Sequence, residues 1–537
     1  MATKLHPTTQ FYLFLALLIG VVIGSGGGFI MFSIVNPNQP ARETVTFDIG
    51  AYQWGFDPNR IEVKLGDHVV LRFSSNATTE PAYTRHSIII QTYNISADLP
   101  VGQITIVEFD ATVPGEFLGE CGIFCGRDHA AMSMTIVVSG AEEDAPEQDL
   151  QPVTQLGQGV TAGTWNNSDV MVIVEREARS ISFIDGSSNT YLGRLSGIGY
   201  QPHTVVFSSN LTFGYIIGRG GWFVKFGLDD FQAKAWIKVG TSSRGTAISN
   251  DDNYVLVSNY EPSSFVIVNT RTMEIAKDYQ IPIPYDENGT TEGSRVASII
   301  DTPNNLMVIA MKDLGEVWVV NMSEPNFPVA KIFYDVGEVL HDAFLTEDGR
   351  YYFLASQGSN WIWVLDTETL TEVARITTGE KPHPGPGALW GDLAFSPSIG
   401  EGRLNIWNTT SFTMHRNITH GGPGLFIRSY SRNASYPYIW WDTILSSDPA
   451  ENRLIHVLDA RTIDDPTPLI YDLAPGNGSL HPEFTYNGKY VYVSLWHESK
   501  VVVYDAYNFN DGPITSFIIT TPTGIFNAGL RVEEVGL

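Results

Sequence analysis

From about Val160 to the C-terminus the chain repeats itself, and that repeat limits its fold more than any other feature. Blocks of strand, turn and strand recur about every 40 to 50 residues, the period of propeller blades. SRGTAISNDDNYVLVSNYEPSSFVIVNTRTMEIAKDYQI and HDAFLTEDGRYYFLASQGSNWIWVLDTETLTEVARIT share one plan. Each has an apolar strand, an Asp/Asn/Gly turn, a second strand, a third strand ending in Asn or Asp, then a T-x-T turn. HTVVFSSNLTFGYIIGRGGWFVKFGLDD and HPEFTYNGKYVYVSLWHESKVVVYDAYN keep the same rhythm. No such block can bury its apolar face alone, so the blocks must stack, and about eight of them predict an eight-bladed β-propeller. The 50 Gly, 29 Pro and 23 Tyr agree with turn-rich β-structure.

The first part of the chain is built differently. Phe11 to Val35 form 25 residues without a charge, enough to cross a bilayer as one helix. A cleaved signal peptide is the rival reading. Apolar residues resume after Gly28, however, and no A-x-A site follows. Lys4 precedes the span without an acid, which places the N-terminus in the cytoplasm and the rest outside. Ten N-x-S/T sequons from Asn76 to Asn477 agree with export. From Glu43 to Ser139, TVTFDIGAYQWGF, IEVKLGDHVVLRF, HSIIIQTY, ITIVEFDA and MSMTIVVSG read as half-buried strands of a small β-sandwich. The acidic stretch AEEDAPEQDLQP reads as a solvated linker. The organisation expected is 1–40 anchor, 41–140 sandwich, 141–159 linker and 160–537 propeller.

Only two cysteines occur, Cys121 and Cys125, so a disulfide framework is excluded, and no CxxCH attaches a c-type haem. Both lie in CGIFCGRDHAAM, followed by His129 and Met132, with His86 on the strand start HSIII as a ligand from elsewhere. Thiolate, thioether and imidazole together favour copper over hard cations. A disulfide or a zinc pair is the plainer alternative. The loop closely resembles the binuclear CuA site of cytochrome oxidase subunit II and nitrous oxide reductase. That resemblance implies a cupredoxin domain in which Cys121 and Cys125 bridge two coppers. His86, His129, Met132 and the Ile123 carbonyl would complete the ligand set.

Acids outnumber bases 59 to 32, a net charge of −27, which argues against nucleic acid. Any anionic ligand needs a local cluster of cations. Three histidines stand at blade starts: His203 in GYQPHTV, His341 in EVLHDAF and His383 in KPHPGPGALW. One alone would read as a structural residue; three at equivalent positions point to a site at one end of the channel.

Over residues 160 to 537 the chain resembles the haem d1 domain of cytochrome cd1 nitrite reductases. PHTVVFS, SRGTAIS, SNYEP, LHDAF, PHPGPGALW, GLFIRSY, HPEF, SLW and TPTGIFN carry the likeness. The resemblance implies haem d1 with His203 as iron ligand. His341 and His383 would lie over the distal face and donate protons to nitrite. Arg219 and Arg244 would meet the haem carboxylates, with Tyr260, Trp496, Thr521, Thr523 and Phe526 around the ring. Two departures stand out: Gly220 follows Arg219 where the family has Asp, and the copper module replaces the family's cytochrome c domain. The function expected is a membrane-anchored, NO-forming nitrite reductase in which CuA feeds single electrons to haem d1. Its partners would be nitrite, an external donor (a small copper protein or cytochrome), the membrane and a second copy as homodimer. The alternatives are haem d1 biosynthesis or carriage, a nitrous oxide reductase-like copper enzyme, and a scaffold without haem.

Overall fold

The computed structural model describes residues 44–534, apart from 54, 65, 76–84, 91–92, 94, 112–114, 122–131, 140–151 and 282–292. The expected membrane span, most of the linker, and three proposed copper ligands, Ile123, Cys125 and His129, lie outside the described residues. Among the described residues no helix is long and apolar enough to cross a membrane. The described residues are all-β but for short helical turns and one helix, Ala528–Glu533.

Residues 44–139 form two facing sheets. One orders Gly55–Asp57, Thr44–Tyr52, His68–Ser75 and Ile104–Asp110; the other orders Arg60–Lys64, Ser133–Ser139, Gly115–Glu120, Arg85–Ile90 and Ile95–Pro100. Alternation in the sequence becomes two inner faces, where Ile49, Leu71 and Phe73 meet Ile88, Phe117 and Ile136. The run IEVKLGDHVVLRF, read as one strand, is two strands in different sheets. Gly66, at φ +94°, turns the chain between them, and the alternation on either side hides the break. Ile95–Pro100 and Gly115–Glu120 are strands that the sequence reading omitted.

The repeats become eight antiparallel units: seven are four-stranded and run in sequence order from the inside outwards, two of these meeting through a short parallel contact of their inner strands, and the eighth has five strands with the last strand of the chain innermost. Their inner strands are Pro202–Phe207, Ser242–Ile248, Val296–Asp301, Leu340–Leu345, Pro386–Trp390, Ile427–Arg428, Ser479–Phe484 and Pro522–Asn527. Successive inner strands touch around a closed ring. The last of them belongs to the first blade: Pro522–Asn527 pairs with Val170–Glu175, setting Phe526 opposite Val172. This pairing ties the C-terminus to the start of the ring. Asn527 then caps the terminal helix, its side chain accepting from the Leu530 N–H at 2.8 Å.

Burial explains why the middle strands read as unbroken apolar runs. Leu306–Met311 and Tyr351–Ser356 are covered on both faces by neighbouring blades. Outer strands such as Ala233–Lys238 alternate between half-buried and exposed. Trp363, Trp407, Trp440 and Trp441 are fully buried; a large apolar side chain so placed contributes roughly 1.5–3 kcal/mol. The sandwich contacts the ring through Tyr200, whose ring meets Phe117 edge-on at 5.8 Å.

Candidate functional site

The inner strands converge on a cavity of about 1040 Å³ at one end of the ring, the upper end of the usual range for ligand pockets. Its lining includes His203, Arg219, Arg244, Tyr260, His341, His383, Trp496, Thr523 and Phe526 from the sequence expectation. Leu118, Ser133 and Thr135 of the sandwich border it too, a cover the sequence reading did not foresee. Thr521 does not line it. Instead its hydroxyl accepts the Glu177 N–H at 3.1 Å and its carbonyl accepts the Arg176 N–H at 3.2 Å, holding the segment that carries the cavity residue Arg176.

His203 sits on the inner strand Pro202–Phe207. Its Nδ1 lies 3.1 Å from the Arg244 carbonyl and 2.8 Å from the Thr204 hydroxyl. Donation to that carbonyl places the proton on Nδ1 and leaves the lone pair on Nε2, the tautomer a metal-binding imidazole requires. Burial, reinforced by the Arg219, Arg244 and Arg176 charges, holds its pKa well below the ordinary histidine value. The ring is therefore neutral at physiological pH.

On the other blades the two remaining histidines share one carboxylate that the sequence reading passed over. Asp342 Oδ1 accepts from His341 Nδ1 at 2.8 Å, and its Oδ2 lies 3.1 Å from His383 Nε2. The two imidazole rings stand 5.0 Å apart. Nδ1 of His383 meets the Leu425 carbonyl at 2.7 Å, so both of its ring nitrogens face acceptors. Burial, with the Lys312 charge, lowers the His341 pKa to about 4. Burial alone would raise the Asp342 pKa, but His383, His341 and Lys312 hold it well below the carboxylate range. His341 is therefore neutral near pH 7, and with Nδ1 donating to Asp342 its free lone pair is on Nε2.

Cations gather here despite the acidic chain. Arg176, Arg219, Arg244, Arg295, Lys312 and Arg531 line the cavity. Arg295 is held bidentately by Asp313, at 2.6 and 3.0 Å, whereas Arg219 Nε is buried without a hydrogen-bond partner. The Arg244 guanidinium stacks over Tyr260 at 4.3 Å, with Arg295 and Lys312 at 5.5 and 5.8 Å. Burial would raise the Tyr260 phenol, yet Lys312, Arg244, Arg295 and Arg219 together lower it. Gly220, where the resembled family has Asp, lies against Tyr200: a Cβ there would stand 3.0 Å from the Tyr200 Cβ. The tyrosine that meets the sandwich occupies the space a longer side chain would need.

A fourth blade-start histidine escaped the sequence reading although HPEF was in view. His481, buried at φ +54°, accepts the Ile525 N–H on Nδ1 at 2.6 Å. Its ring lies 4.3 Å from Phe426 and 5.6 Å from Phe526, and the Arg531 guanidinium covers Phe526 at 4.8 Å. These rings make an aromatic wall. Apolar faces with a rim of cations and the neutral His203 imidazole suit a flat, carboxylate-bearing, metal-centred macrocycle.

In the sandwich, His86, Cys121 and Met132 are buried. The Cys121 N–H donates to the Met132 carbonyl at 3.0 Å, and the Ser87 N–H points at Cys121 Sγ at 3.5 Å. Among the described residues neither ring nitrogen of His86 has a hydrogen-bond partner, a costly arrangement for a buried imidazole unless something else satisfies it. Thiol, thioether and orphaned imidazole fit a soft metal.

Comparison with known proteins agrees with the propeller cavity. Residues 165–531 match the cytochrome D1 heme domain model, and the chain belongs to that family. Protein NirF of Pseudomonas aeruginosa is 28% identical over 391 residues, covering 69% of this chain and 94% of that protein. Dihydro-heme d1 dehydrogenase of the same organism is 28% identical over 372 residues, covering 68% and 72%. The solved structure of dihydro-heme d1 dehydrogenase NirN in complex with DHE superposes with a TM-score of 0.60 at 25% identity, covering 74% of this chain and 84% of that one. A stretch of 102 residues is 30% identical to cytochrome c oxidase subunit 2 of Thermus thermophilus, 19% of this chain and 67% of that protein.

These relatives overturn the expected nitrite reductase. NirF and the dehydrogenase are matched at higher identity than the nitrite reductase of Stutzerimonas stutzeri, at 24%.

Proposed function

We propose that this chain is a haem d1 biogenesis protein that holds a d1-type tetrapyrrole in the propeller cavity for its maturation or delivery. The observation that carries this reading is His203, a neutral imidazole of fixed tautomer inside a ring of arginines. In that role His203 Nε2 binds the iron, and Arg219 and Arg244 receive carboxylates of the macrocycle as charge-assisted pairs. Phe526, Trp496 and Tyr260 border its faces, and Thr523 lies on the same strand as Phe526.

A second reading, dehydrogenation of a dihydro precursor, is favoured by His341, whose Nε2 is an acceptor rather than a donor. Removing two hydrogens releases two protons and two electrons; the ring can take a proton where a cationic histidine could not. The sandwich is proposed to carry a CuA-type centre on Cys121, Cys125, His86, His129, Met132 and the Ile123 carbonyl. Such a centre supplies one-electron exchange. The membrane anchor, an external one-electron partner and a homodimer complete the proposal.

Anaerobic mixing of the full chain with a d1-type tetrapyrrole and with its dihydro form tests both readings. Carriage predicts uptake of one macrocycle per chain and its return with unchanged mass; dehydrogenation predicts a product lighter by two hydrogens. Absence of uptake refutes both.

A further inference from the structure

On the outer edge of the ring, far along each blade from its inner strand, a second cluster of ligating side chains joins two neighbouring blades. His420 follows the outer strand Met414–Thr419 of one blade. His456 and Asp472 belong to the next, directly opposite each other on Ile455–Asp459 and Ile470–Leu473. Asp472 Oδ1 lies 2.7 Å from His420 Nε2 and 2.8 Å from His456 Nδ1, and the three ligand atoms fall within 4.8 Å of one another. Gly421, at φ +68°, lets the segment after His420 close on the buried His456; a Cβ there would stand 2.5 Å from His456 Nε2.

We propose that His420 Nε2, His456 Nδ1 and Asp472 Oδ1 bind a divalent ion of the zinc type that staples these two blades together. Two imidazoles and a carboxylate are a familiar three-ligand set, and a water takes the fourth place. Bonds of about 2.0–2.1 Å in a tetrahedron separate donor atoms by roughly 3.3 Å, so each imidazole nitrogen draws back from Asp472 Oδ1 by about half an ångström. His420 and Asp472 are partly solvent-exposed, which gives the ion a way in.

The far side of His456 supplies the independent observation. Its Nε2 lies 3.8 Å from Glu451 Oε2, a buried oxygen without a hydrogen-bond partner, and 3.4 Å from the Thr443 hydroxyl. While Nδ1 donates to Asp472, a neutral ring turns a lone pair towards that carboxylate. Metal on Nδ1 reverses the tautomer, and Nε2–H then donates to Glu451, the carboxylate–histidine–metal arrangement of supported sites.

The test is equilibrium dialysis of the chelator-treated full chain against Zn²⁺, with Co²⁺ spectra as the geometric readout. His420→Ala and Asp472→Asn should each lose one ion per chain and the tetrahedral Co²⁺ bands, with circular dichroism confirming the fold. His341→Ala/His383→Ala, which disables the cavity cluster, should keep both. Glu451→Gln should bind about 10- to 100-fold more weakly. Full stoichiometry in both His420→Ala and Asp472→Asn, or unaltered affinity in Glu451→Gln, would overturn the proposal.

Discussion

Replacing Arg219 with Met separates a binding role from a structural one. Among the described residues its Nε is buried without a hydrogen-bond partner, while its backbone is engaged on both sides, the N–H donating to the Gln201 carbonyl at 2.8 Å and the carbonyl accepting the Ser243 N–H at 3.0 Å. A buried donor left unmade costs about 1–3 kcal/mol, which a carboxylate placed against Nε offsets. A hydrogen bond to a charged group contributes about 1.5–3 kcal/mol, which converts to roughly 10- to 150-fold in affinity. Arg219→Met should therefore weaken binding of a d1-type tetrapyrrole by that factor, while the tetrapyrrole-free protein unfolds at the same or a higher urea concentration. Spectrophotometric titration gives the first quantity and urea denaturation the second. Raising the salt concentration should narrow the affinity gap, within the limit that a partly buried pair is screened weakly. Unchanged affinity, or stability and affinity falling together, would refute the assignment of Arg219 to the macrocycle.

Three further outcomes follow from particular contacts. The His341 pKa falls from 6.5 in the unfolded chain to about 4 in the fold. Between those values the unfolded state binds more protons, so acid destabilises, by about 3 kcal/mol once pH has dropped through the whole window; His341→Gln should flatten urea midpoints between pH 6.5 and 4, and a wild-type slope would contradict this. Asp442 accepts backbone N–H groups of Leu425 and Ile444 on Oδ1, and of Phe426 and His481 on Oδ2, at 2.9 to 3.4 Å. Asp442→Asn sets an amide against two of these donors and should cost about 2–6 kcal/mol in urea unfolding, whereas a loss below 1 kcal/mol would show that the donors find other partners. Gly221, at φ +78°, would bring a Cβ within 1.9 Å of the Gly240 carbonyl oxygen; Gly221→Ala should lower the melting temperature by several degrees, and an unchanged melt would count against the turn as described.

The ring was legible in the sequence because each middle strand is buried on both faces and announces itself as a short apolar run between Asn/Asp/Gly turns. His203, His341 and His383 stood out because they recur at one place in the repeat. Asp342 did not, since an acid beside a histidine in LHDAF looks like an ordinary polar neighbour. Only the fold brings His383 from the next blade onto its second oxygen. His481 carried the same blade-start signal in HPEF, but its role depends on a left-handed backbone and two phenylalanines distant in sequence. The cationic rim was hidden for a similar reason: Arg176 comes from one blade, Arg295 and Lys312 from another, and Arg531 from the C-terminal helix. In the sandwich, strand alternation was visible while the crossing at Gly66 was not, because alternation continues unbroken on both sides of the turn.

The most direct test of the account is the iron spectrum of the full chain loaded with a d1-type tetrapyrrole, compared between wild type and His203→Ala. The account predicts one macrocycle per wild-type chain with imidazole-ligated iron, and loss of that ligation in the variant. Identical spectra for the two proteins, or no uptake by the wild type, would contradict it.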